Sequence, residues 1–95
     1  MKNEEKKHSP VRELAEKTLF EAFKVLQKAG GSLPGRDVMT EVERRIELSS
    51  WDKERYKKTG YIRWQSTLHF YTIDAIKAGL MQKKKRWWKI LLILQ

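Results

Sequence analysis

The stretch YIRWQSTLHFYTIDAIKAGLMQKKKRWWKI (Tyr61–Ile90) contains a helical period, a glycine stop and a charged reversal in one unbroken run. Trp64, Leu68, Tyr71, Ala75 and Ala78 recur at spacings of 4, 3, 4 and 3, which predicts a helix from about Arg63 to Ala78 with a narrow buried face. On that phase Ser66, Thr67, Phe70, Asp74 and Lys77 point away, and Gln65, His69, Thr72 and Ile76 lie on a flank. Phe70 is the exception, expected to close the core against Trp51 or Tyr56. Gly79 ends the helix. Two short apolar runs, LMQ and WWKILLIL, then flank the cations Lys83, Lys84, Lys85 and Arg86, the pattern of a β-hairpin with a charged tip. One of Trp87 and Trp88 is expected to pack on the core and the other to cover the outer face of the hairpin.

Upstream, Ser9-Pro10 reads as an N-cap followed by proline at the first helical position. Leu14, Thr18, Leu19, Ala22, Phe23, Leu26 and Ala29 continue at helical spacing until Gly30-Gly31. Glu13, Lys17, Glu21, Lys24 and Lys28 fall on the wet side. SLPG (Ser32–Gly35) is a connector or short strand. Val38, Val42 and Ile46 give a second helix, Arg36 to Glu47, its apolar stripe. SSWDKERYKK (Ser49–Lys58) has Ser49 and Asp52 in capping-box spacing and predicts a short extra helix. Residues 1–8 are charged and expected to be disordered, leaving one domain over 9–95.

Composition narrows the function classes. The chain has 95 residues, no cysteine and a net charge of +9. Disulfide and thiolate chemistry are therefore excluded, and a reducing, cytoplasmic setting is expected (nucleoid-associated in a bacterium). No apolar run approaches the roughly 20 residues of a membrane span, and the N-terminus lacks the apolar region of a secretory signal. Residues 1–54 hold 11 Lys/Arg and 11 Asp/Glu, whereas residues 55–95 hold 10 Lys/Arg and a single acid, Asp74. A neutral half joined to a basic half points to a polyanionic partner on one face. The residues show no catalytic constellation, no metal-ligand set and no cofactor motif: acids alternate with bases along helices, His69 has no second His, Cys or carboxylate close by in sequence, and His8 lies in the stretch expected to be disordered.

The predicted order is helix, short strand, helix, small helix, helix, hairpin. That is a mainly α chain with a small β-hairpin, the order of a winged helix-turn-helix domain. The quoted stretch also resembles the N-terminal domain of the Mrr restriction endonucleases. The resemblance rests on Trp64, Phe70, Ala78-Gly79-Leu80, the cations Lys83–Arg86 and Trp87 or Trp88, with LSSWDKERY (Leu48–Tyr56) before the helix. It covers about residues 10–90. It implies a DNA-binding winged helix, attached in that family to a nuclease domain that cuts modified DNA. Here Gln-Ser-Thr stands where the family tends to place an arginine. The glycine usual before the wing tryptophan is missing, and the last strand runs into LLILQ.

The expectation is double-stranded DNA binding. Gln65, Ser66, Thr67 and His69 are the candidates for base edges, because amide, hydroxyl and imidazole groups can bond them in the major groove. Lys57, Lys58, Arg63, Lys83, Lys84, Lys85 and Arg86 are the candidates for phosphates. The alternative is a protein-interaction module, a homodimer through the apolar C-terminal strand included.

Overall fold

Ser9 accepts a hydrogen bond from the Arg12 backbone N–H at 3.1 Å, and Pro10 opens helix α1 (Pro10–Lys28) with a φ already set for it. A computed structural model of the chain describes residues 9–91, so the expected disorder of residues 1–8 and most of the apolar tail lie outside the described residues. Helix α1 stops in a Schellman motif. Gly31 N–H donates to Leu26 O at 2.7 Å and Gly30 N–H to Gln27 O at 3.2 Å, with Gly30 at a φ of 87°.

Strand β1 (Ser32–Pro34) leads into helix α2 (Gly35–Arg45); helix α3 (Arg63–Lys77), strand β2 (Met81–Lys84) and strand β3 (Trp87–Ile90) follow. The sheet is antiparallel in the order β1-β3-β2, so the last strand is central. Leu33 pairs with Trp88 on one side of β3, and Lys83 pairs with Trp88 on the other. The core lies between this sheet and the three helices. Leu14, Val25 and Leu26 of α1, Val38 and Val42 of α2, Trp64 and Leu68 of α3, and Met81 and Trp88 of the hairpin form one buried cluster. By the usual cost of large-to-small core changes, truncating Trp64 or Leu68 would remove about 2–5 kcal/mol.

Four sequence expectations change. The segment Ser49–Lys58 is not a helix. Its capping box does form, with Ser49 N–H donating to Asp52 Oδ2 at 2.8 Å and Asp52 N–H to Ser49 Oγ at 3.1 Å, but it closes only a turn. The carbonyls of Asp52 and Glu54 accept instead from the N–H groups of Trp64 (2.9 Å) and Arg63 (2.8 Å), so this segment serves as the backbone cap of α3. The buried face of α3 is wider than a single stripe, because the helix packs on α1 and also meets β2. Thr67 and Thr72 are buried beside Trp64, Leu68 and Ala75, while Tyr71 is half-buried and Ala78 exposed. Phe70 is 65% exposed and closes no core. Glu21 is buried rather than wet, held by Lys24 at 3.4 Å and by Arg45 of α2 at 3.7 Å.

Candidate nucleic-acid interface

The hairpin turn is two residues long, Lys85-Arg86, between the paired Lys84 and Trp87. Lys85 holds a φ of 59°, a conformation that glycine and asparagine adopt more readily than lysine. The tip is thus narrower than Lys83–Arg86. Alternation along β2 turns Lys84 outward with Gln82 and turns Lys83 inward with Met81.

Lys83 consequently sits beneath α3. Its Nζ lies 4.5 Å from the ring centre of Trp88 and 3.3 Å from His69 Nδ1. An ammonium can only donate, so Nδ1 accepts and the imidazole proton resides on Nε2. The His69 ring meets Trp88 edge-on at 5.5 Å. Partial burial, and then the Lys83 charge, hold His69 below the ordinary imidazole pKa; partial burial also lowers that of Lys83. Trp88 is itself seated against the backbone of Gly35. A Cβ there would stand 3.0 Å from Cδ1 of the indole and closer still to Nε1. Gly35 N–H donates to Arg86 O at 2.7 Å, which ties the turn to the start of α2.

His69 is shared by two surface depressions. One, of about 600 Å³, lies between the 55–62 segment and the first turns of α3, and is lined by Arg55, Tyr61, Gln65, Ser66 and His69. The other, of about 650 Å³, runs from His69 to the hairpin and the start of α2, past Lys83, Lys85, Arg86, Trp87 and Arg36. The His69 side chain is a common wall of the two halves of this groove.

Its lining carries the cations Arg36, Arg55, Lys83, Lys85 and Arg86 and the acid Asp37. In the first half of the chain Arg12 pairs with Glu16, Lys17 with Asp52, Lys24 with Glu21, and Arg44 and Arg45 with Glu41. The Arg44 hydrogen bond leads in holding the Glu41 carboxyl below its usual range. Lys57, Lys58, Lys84, Lys85 and Arg86 are exposed and pair with no acid among the described residues.

Two candidates do not reach this surface. Thr67 is only 6% exposed, turned into the core by the wide buried face of α3. Arg63 is spent internally: its Nη1 donates to Trp51 O at 2.8 Å and Glu54 Oε1 at 3.1 Å, and its guanidinium stacks on Trp51 at 4.2 Å. Lys83 is half-buried on Trp88, so within the run Lys83–Arg86 it is the one turned away from the tip. Gln65 and Ser66 are half-exposed and His69 exposed, all three facing the groove.

Arg36, Arg55, Tyr61 and Trp87 also line the groove and were not among the contact residues expected from sequence. No spacing marks them, since only the fold brings the start of α2 and the 55–62 segment beside α3. Among the described residues no group of His, Cys, Asp or Glu could hold a metal ion, and no helix is long and apolar enough to cross a membrane. No family model, curated protein or solved structure matches this chain.

Proposed function

We propose that the chain is a winged helix-turn-helix domain that binds double-stranded DNA, with α3 in the major groove and the β2-β3 hairpin as the wing. The observation that carries this reading is the set of exposed, unpaired cations in the segments just before and just after α3. Lys84, Lys85 and Arg86 stand at the hairpin, and Lys57 and Lys58 at the turn before the helix. A phosphate backbone neutralises such cations with release of counterions. Gln65, Ser66 and His69 Nε2 offer polar groups to base edges between them. The resemblance of Tyr61–Ile90 to the Mrr N-terminal domain supports the same docking. In this reading the chain binds and does not catalyse. The Lys83 ammonium backs His69, and Arg63 and Thr67 are structural.

The test is fluorescence anisotropy of a labelled duplex at several salt concentrations. The slope of log K against log salt should be steep, about −0.9 per phosphate contacted. Changing Lys84, Lys85 and Arg86 together to Ala should make it shallower by about 2–3 units. Arg63→Ala should lower thermal stability and leave the slope in place. A binding constant indifferent to salt would sink the proposal.

A further inference from the structure

The outward face of α3 carries a feature that phosphate binding does not explain. Ser66, Phe70, Ile73 and Lys77 fall in one row at helical spacing. Phe70 is 65% exposed and Ile73 47%. Phe70 meets the Tyr71 ring edge-on, with ring centres 5.7 Å apart, and lines a shallow surface depression with Val11 and Tyr56. Two large apolar side chains thus stand in water on the face opposite the core.

We infer that Phe70 and Ile73 are specificity-determining residues that contact the C5-methyl groups of thymine in the major groove. The inference rests on the DNA-binding reading above. The occupant of this face follows from its charge: the row ends in the exposed Lys77, and the hairpin that follows α3 carries the exposed cations Lys84, Lys85 and Arg86, a charge complement to a polyanion. In the major groove the thymine methyl is the apolar group presented by an unmodified base pair, and apolar side chains read it by contact. Ser66 and His69, one turn or less away on the same helix, supply polar groups for the adjoining base edges. Apolar contact with methyls, set among hydrogen-bonding groups, gives a preference for sites containing A·T pairs.

The test compares an alternating A·T duplex with the same duplex carrying uracil for thymine, which removes only the methyl groups. The native chain should bind the thymine duplex more tightly by about fourfold for each methyl covered, the effect of burying one such group. Phe70→Ala/Ile73→Ala should bind the two duplexes equally, and Phe70→Ala alone should show an intermediate ratio. Both side chains are exposed, so these variants retain the core. Equal binding of the two duplexes by the native chain overturns the inference, as does a thymine preference that survives in the double variant. If neither duplex binds at low salt, the DNA-binding reading itself falls, a result distinct from binding without discrimination.

Discussion

At the scale of single residues, His69 has the most informative surroundings. Its imidazole is held below the usual pKa by partial burial and by Lys83, so the folded chain resists protonating it more than the unfolded chain does. The unfolded state therefore binds more protons in the window below 6.5, the ordinary value. Stability should be constant above that pH and fall as the pH drops through the window, levelling off below the folded-state pKa. Urea unfolding between pH 7.5 and 5 reads this directly, and His69→Gln should flatten that part of the profile. An identical profile in the variant would remove His69 as its source. None of this was legible from sequence, where His69 is a flank residue without neighbours. Its partner Lys83 is fourteen positions away and arrives only when β2 folds beneath α3. Arg63 was misjudged for a related reason: a cation at a helix start looks available until Trp51 and Glu54 are seen closing over it.

At the scale of elements, the long helices and the hairpin were readable because each carries its own period and its own stop. Ala78-Gly79-Leu80 is one such stop. Gly79 N–H donates to Ile76 O at 3.0 Å and Leu80 N–H to Ala75 O at 2.9 Å, a second Schellman motif. The 49–58 segment failed as a helix because its local signal, the capping box, serves a turn equally well. Tertiary demand settled the matter, since α3 has no side-chain cap and takes the carbonyls of Asp52 and Glu54 instead. The phase of α3 was right at Trp64, Leu68 and Ala75. It missed Thr67 and Thr72, since threonine counts as polar in a pattern yet buries readily when its hydroxyl bonds a helix carbonyl, as Thr72 does to His69 O. The joint between α2 and the sheet supplies a prediction at this scale. Gly35→Ala should force the Trp88 indole out of place and destabilise the domain by about 1–3 kcal/mol, the usual range for overpacking. Thermal unfolding of the variant measures it, and an unchanged melting temperature would refute the close approach. Trp88→Phe in the Gly35→Ala background should recover part of the loss, because the smaller ring vacates the space nearest the new methyl group.

At the scale of the whole molecule, the split between a neutral and a basic half was plain in the sequence, and the structure gives it a physical form. Several acids and bases of the first half pair with one another, while the cations of the hairpin tip and of the turn before α3 stay unpaired among the described residues. The groove around His69 could not be read in advance, because it is built from segments far apart in the chain. The hairpin is joined to the rest of the groove around one side chain. The indole of Trp88 lies between the Gly35 backbone, the Lys83 ammonium and the His69 ring, and the hairpin turn is bonded to Gly35 besides. Amide hydrogen exchange at Trp88 and Lys83 should accordingly be as slow as at Leu68 in the core. Exchange as fast as at an exposed loop would mean a hairpin that swings on its own. If the hairpin is fixed in this way, the separation between the two sets of cations is a built-in calliper, set before any encounter. A partner whose charges match that spacing meets a surface already ordered, and little conformational entropy is lost on association. A polyanion with a different spacing gains nothing from adjustment of the protein, so one buried tryptophan would decide which charge patterns the domain can accept.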